Sequence, residues 1–178
     1  MNENIDSRGP KQSRTRRALR VALTPLKCDE GQALVEFGAV AMVFLMLVFG
    51  IIDFARLLES WVTVQYAARE GARYAVTGRS DCAEYPDNRV GCIQYTAKGA
   101  TTGLAGGIDA VTVSVKSWAY PNYADPPTAD SAGHACDEVE VRVDYDHHLM
   151  TPVISAIVDH VPLSGRERVL NEPFGTCG

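Results

Sequence analysis

The chain has 178 residues and a mass of 19.3 kDa, which leaves room for one small globular domain with appended segments. Its net charge of −5 conceals a division: residues 1–31 carry seven Lys and Arg against four acids, and the remainder carries ten against eighteen. A basic arm alone could bind nucleic acid or anionic lipid. In this chain an apolar run follows the basic arm directly, which indicates that the arm sets the membrane topology and argues against a nucleic-acid partner.

Residues 1–31 are predicted to be a basic cytoplasmic leader. Up to residue 26 the segment is polar, is interrupted by Pro10 and Pro25, and has no sustained apolar period, as in a flexible arm. Lys and Arg beside a first membrane segment are retained on the cytoplasmic side. The sequence therefore predicts an N-terminus inside the cell and an acidic C-terminal domain outside it.

An apolar run follows the leader. Every residue from Phe37 to Ile52 is apolar or glycine, and Ala33 to Val35 extend the run on the other side of Glu36. A bilayer core needs about 20 such residues in a helix, so we expect a transmembrane segment at about residues 33–54. A carboxylate such as Glu36 at the edge of the span costs about 2.5 kcal/mol or more unless it finds a partner, which makes it a functional candidate.

Helical periodicity continues beyond the span. No proline interrupts residues 32–77, and Gly78 is a suitable stop, so one helix over residues 32–78 is expected, with an amphipathic second half. Asp53 and Arg56 would mark the outer membrane interface, with an i,i+3 ion pair as one option. We expect the exported domain to cover the apolar stripe of the second half, which consists of Phe54, Leu57, Leu58, Trp61, Val64, Ala68, Ala72 and Ala75.

Residues 79–178 read as an exported α+β domain with an antiparallel sheet of about three strands and one or two short helices. Asp87 or Asn88 can cap a helix that ends before Gly103, and Pro152 can start a shorter one. Residues 120–135 read as a long loop. The expected strands are Val111 towards Trp118, Val139 to Tyr145, and Val161 to Asn171.

The cysteines follow the same division. Cys28 precedes the apolar run, and four cysteines follow it, as expected for disulfides in an oxidising compartment. Three pairings are possible. The short separation favours Cys82 with Cys92, which leaves Cys136 with Cys177. Zinc is the rival, but the spacing does not match usual zinc ligands.

No catalytic, cofactor or metal site is expected, and the chain does not read as an enzyme. His147 and His148 follow two aspartates, so a metal cluster is conceivable. Adjacent residues on a strand point to opposite faces, however, and solvated or capping roles are favoured.

The junction between leader and span has a distinctive order: Gly31, four residues, Glu36, Phe37 and then the apolar helix. A protease at the cytoplasmic membrane face needs a small residue before the cut, and Gly31 supplies one. Cleavage there would make Gln32 the new N-terminus and Glu36 the fifth residue. An ordinary secretory signal would instead be cut beyond its apolar core.

This junction resembles the leader junction of type IV prepilins, and the longer run resembles the TadE-like family of the tight-adherence pilus machinery. The matching motifs are GQALVEF, GIIDFARL and VQYAAREGARYAV, which lie between Gly31 and about Val76. The resemblance implies a pilin-like fold and a minor pilin, or pseudopilin, that a prepilin peptidase cuts after Gly31. Glu36 and Phe37 carry over as assembly positions.

The partners implied are the prepilin peptidase, other pilins and pseudopilins, inner-membrane pilus assembly proteins and the lipid bilayer. The expected location is the cytoplasmic membrane, crossed once, with incorporation into a pilus as a further option. Cleavage would create an amine at Gln32, four residues from Glu36, and their pairing would offset the burial of both charges. The alternative is an uncut, signal-anchored binding module outside the cytoplasm.

Overall fold

The computed structural model describes residues 29–177, so the leader prediction for residues 1–28 and the expectation for Cys28 lie outside the described residues. The chain divides into two compact units after Ala39. The first described element is a helix, α1, at Asp29–Val76, with 48 residues. Asp29 is also the first described residue, so α1 extends at least three residues before the predicted start at Gln32.

The predicted stop of α1 is confirmed. Gly78 has a positive φ of 68°, which an L side chain rarely adopts, and its N–H donates to the carbonyl of Ala75 at 3.2 Å. The Arg89 guanidinium donates to the same carbonyl at 2.6 Å and to the carbonyl of Gly133 at 2.6 Å. The end of the helix is therefore bonded to the domain that follows it.

The part of the chain after α1 is an α+β domain, as predicted. Asn88 caps its first helix, because the Asn88 side chain accepts a hydrogen bond from the Gly91 N–H at 2.9 Å. The elements are helix α2 at Arg89–Gly99, a 3-10 turn at Gly107–Ala110, strand β1 at Val111–Trp118, β2 at Thr128–Ala129, β3 at Glu138–His148, helix α3 at Pro152–Ser155 and strand β4 at His160–Leu170.

The sheet is antiparallel with the order β2-β1-β3-β4, and it has four strands where about three were predicted. The additional strand is β2, which forms inside the predicted loop 120–135 when Ala129 pairs with Lys116. Strand β4 runs through Pro162 and Gly165 because it is an edge strand, where a missing N–H is tolerated.

The core lies between one face of the sheet, α2 and the second half of α1. Val139, Val141 and Val143 of β3 are fully buried against Val115 of β1 and Ile93 of α2. The α1 residues in this core are mostly small: Val64, Ala67, Ala68, Gly71, Ala72 and Ala75.

The predicted covering of the apolar stripe is therefore wrong for three of its four largest members, and the fourth, Leu57, is half-buried. Phe54, Leu58 and Trp61 remain exposed, while the positions that pack on the sheet carry small side chains. The reason is distance: a helix backbone can lie close to a sheet only where its side chains are short.

The α1 backbone approaches the sheet closely at Gly165 of β4. A Cβ added to Gly165 would lie 2.4 Å from the carbonyl oxygen of Val64 and 2.9 Å from the N of Gln65. The Gln65 amide also donates to the carbonyl of Ser164 at 3.1 Å. Gly165 is thus a packing position.

The four cysteines after α1 lie at disulfide distance in the pairing that the sequence favoured. Cys82 and Cys92 have Cα atoms 5.6 Å apart, and Cys136 and Cys177 have Cα atoms 5.4 Å apart. The first pair joins the loop after α1 to α2. The second joins the loop before β3 to the segment after β4.

We predict that Gly165→Ala destabilises the domain by about 1–3 kcal/mol, because the added methyl must push the strand away from the α1 backbone. Urea unfolding of the detergent-solubilised protein measures this change. The control is Gly99→Ala, where no atom lies within 4 Å of the added Cβ. Equal midpoints for Gly165→Ala and the parent protein would contradict the packing role.

Candidate functional site

The first half of α1 is exposed in the part of the chain that the structure describes. From Gly31 to Ile52 no residue is buried, and the exposed side chains include Phe37, Phe44 and Phe49. Soluble monomeric proteins rarely expose an apolar surface of this extent. Within residues 29–177, this is the one helix that is long and apolar enough to cross a membrane.

The structure places the predicted processing and assembly residues at the start of α1. Gly31, Gln32, Glu36 and Phe37 are all helical and exposed. The Gln32 amide donates to a carboxylate oxygen of Glu36 at 3.1 Å, an i,i+4 contact. Position 32 and the Glu36 carboxylate therefore share one face of the helix.

Asp53, directly after the apolar run, is only 3% exposed. Its two carboxylate oxygens accept hydrogen bonds from the backbone N–H of Met150 at 3.1 Å and of Thr151 at 2.9 Å. Arg56 instead contacts the Met150 sulfur. The i,i+3 ion pair between Asp53 and Arg56 that the sequence suggested is thus replaced by a bond from helix to loop.

Ser60 and His147 form a second polar contact on the same face of α1. The Ser60 hydroxyl lies 3.0 Å from His147 Nδ1, and both side chains are buried. The favoured solvated role is therefore wrong for His147. His148 does point to the opposite face, where it is exposed, as the strand geometry predicted.

The sequence contains a signal for both contacts. Asp53 and Ser60 are seven residues apart, which is two helical turns, and Val64 and Ala67 continue the same face. Polar residues in line with a buried face indicate bonds to the element that packs there.

The environment of His147 disfavours its charged form. Burial lowers the pKa of His147, the nearby Arg56 lowers it further, and Asp53 acts in the opposite direction. The neutral imidazole is the form that fits against Ser60. Protonation would place a cation in the contact between α1 and β3.

We predict that acid weakens this contact. Because the folded-state pKa of His147 lies below its unfolded value, its contribution to stability is complete above about pH 6.5 and is lost as the pH falls below that value. The thermal midpoint should therefore drop more between about pH 7 and about pH 5 in the parent than in His147→Gln. His134→Gln, which changes an exposed histidine, is the control and should keep the parent's pH dependence. Identical pH profiles for the parent and His147→Gln would contradict this assignment.

One protein-family model matches the part of the chain that contains the candidate residues described above. The family model described as TadE-like protein matches residues 31–73, which include the Gly31 junction, Glu36, the apolar run, Asp53 and Ser60. The comparisons with curated proteins and with solved structures found no match. Residues 31–73 therefore form a TadE-like segment, which supports a pilin-like protein associated with the tight-adherence pilus.

Proposed function

We propose that this protein is a minor pilin-like component, a pseudopilin, of tight-adherence pilus biogenesis. The observation that carries the proposal is the TadE-like match over residues 31–73, which includes the apolar run that residues 29–177 leave exposed. The protein acts by helix packing in the cytoplasmic membrane. The exported domain stands outside, joined to the span by the same continuous helix.

Processing is the first step of the proposed function. A prepilin peptidase cuts between Gly31 and Gln32 and removes the basic leader, so that the apolar segment begins at a free α-amine. Gly31 is exposed and has no side chain to obstruct a protease. Because Gly31 already lies in α1, the first turn of the helix must open before its peptide bond can be cut.

Glu36 is the partner of the new amine. The hydrogen bond from the Gln32 side-chain amide supports this pairing, because it places the Glu36 carboxylate on the same side of the helix as residue 32. A carboxylate has a second oxygen, so it can accept from an amine as well, on the same chain or on a neighbouring pilin. Pairing the charges lowers the cost of placing both in the membrane and fixes the axial register of packed helices.

A second candidate function is an uncut, signal-anchored binding module. The helical conformation of Gly31 and Gln32 favours it, because a peptide bond within a helix is a poor protease substrate. Its exported domain would then bind a ligand outside the cell. The presence or absence of residues 1–31 in the membrane protein separates the two functions.

We predict that the protein extracted from membranes of cells with an active prepilin peptidase begins at Gln32, as intact-mass spectrometry would show. Gly31→Leu should retain the leader because it places a large side chain before the cut. Gly38→Leu is the matched control: it changes another exposed glycine of α1 with no atom within 4 Å and should be processed normally. A parent protein that keeps residues 1–31 in the presence of the peptidase would refute the processing step.

We also predict that Glu36→Leu leaves membrane insertion intact and reduces the amount of assembled pilus, since the amine at Gln32 loses its partner. Carbonate extraction measures insertion, and the quantity of pilin sheared from the cell surface measures assembly. Glu59→Leu makes the same chemical change at an exposed position of α1 outside the apolar run and should leave assembly unchanged. Normal piliation in Glu36→Leu would refute the role of this carboxylate.

A further inference from the structure

The loop between β3 and β4 has an unusual composition for an exported domain. Residues 149–158, the hairpin loop, read LMTPVISAIV and contain no charged side chain, although the residues on either side are His148 and Asp159. Three of its apolar side chains are exposed. Met150 is 64% exposed, Ile157 is 83% exposed and Val158 is 41% exposed. Clustered apolar exposure of this kind marks an interaction surface.

The hairpin loop is held at one position along α1. The N–H groups of Met150 and Thr151 bond to the carboxylate of Asp53, and Asp53 follows Ile52, the last residue of the uninterrupted apolar run. Phe49 and Ile52 line a groove of about 440 Å³ together with the start of the loop. The exposed side chain of Met150 thus adjoins the exposed apolar surface of the helix at Phe49 and Ile52.

Most backbone N–H groups of the hairpin loop are hydrogen-bonded, which lowers the cost of placing the loop in an apolar environment. The N–H groups from Ile154 to Val158 all bond to carbonyls of Thr151, Pro152 or Ile154 within the loop. Those of Met150 and Thr151 bond to Asp53, and Pro152 has no N–H. Unpaired backbone groups are what makes an ordinary loop costly in lipid. This loop has paired most of its donors.

We propose that the hairpin loop is a second membrane contact, which inserts Met150, Ile157 and Val158 among the lipid acyl chains of the outer leaflet beside the span. The inference rests on the membrane insertion of α1 in the proposed function. Three features favour lipid as the partner of the loop. The loop has no charged side chain, most of its backbone N–H groups are hydrogen-bonded, and it is bonded to Asp53 directly after the apolar run. A short amphipathic segment at this depth lies in the interface and does not cross it.

A second contact would have a consequence for the exported domain. A domain held by one helix alone can rotate about the helix axis, whereas a domain that also rests on the hairpin loop presents a fixed side to the membrane. Assembly with other subunits would then have to lift the loop out of the lipid.

The test uses the full chain with Cys28→Ser and Ile157→Cys, labelled with the environment-sensitive fluorophore NBD under non-reducing conditions that keep the paired cysteines bonded. The protein is reconstituted into phosphatidylcholine and phosphatidylglycerol vesicles. Quenching is measured with a nitroxide on the lipid acyl chain and with iodide in the water. Leu170→Cys is the matched control, because Leu170 is an aliphatic residue, 57% exposed, at the opposite end of β4.

We expect blue-shifted emission at position 157, quenching by the acyl-chain nitroxide and loss of quenching by iodide, with the reverse behaviour at position 170. The quenching at position 157 should not change when the ratio of protein to lipid is lowered. Shielding that disappears on dilution would overturn the proposal in favour of a contact between copies. Iodide quenching at 157 in a carbonate-resistant protein would overturn it while leaving the insertion of α1 intact, whereas extraction by carbonate would refute insertion itself.

The tether is tested by Asp53→Ala in the same labelled chain. Loss of the Asp53 carboxylate should release the loop and remove the acyl-chain quenching at 157, while carbonate resistance remains. Unchanged quenching at 157 would show that Asp53 does not hold the loop in place.

Discussion

The α+β domain depends on the close approach of the α1 backbone to the sheet at Val64 and Gly165. This distance selects the small residues on the packed face of α1, and it leaves the larger apolar residues on the remaining faces. The helix therefore has two surfaces with different tasks. The face lined by small side chains holds the domain, and the exposed apolar surface is available to lipid or to other helices.

Polar bonds add precision to this packing. A small-residue face alone would allow a helix to slide or rotate, because alanines are nearly interchangeable. Asp53 with the amides of Met150 and Thr151, and Ser60 with His147, occur at single positions and fix both the axial position and the rotation of α1. The cost of burying these groups is met by their hydrogen bonds, and the result is a unique arrangement of helix and sheet.

The fold class and most elements could be predicted from the sequence because their signals are local. A run of apolar residues, an Asn cap, alternating valines and a stop at Gly78 each report on their own neighbourhood. The covering of the stripe could not be predicted in this way. By hydrophobicity alone, Phe54 and Trp61 would be core residues before Ala68 and Ala72. The structure has the reverse, because Gly165, about a hundred residues later in the chain, brings β4 so close to α1 that only small side chains fit between them. The partners of Asp53 and His147 were missed for the same reason, since each bond joins distant parts of the chain.

The join between α1 and β4 also bears on mechanical load. A pulling force along α1 would meet the packed contact at Gly165 and the Asp53 bonds side by side, so that they share the force and must fail together. Contacts loaded in parallel resist more than contacts that open one after another. The glycine that lets the two backbones touch thus allows the helix and its domain to resist a pulling force together.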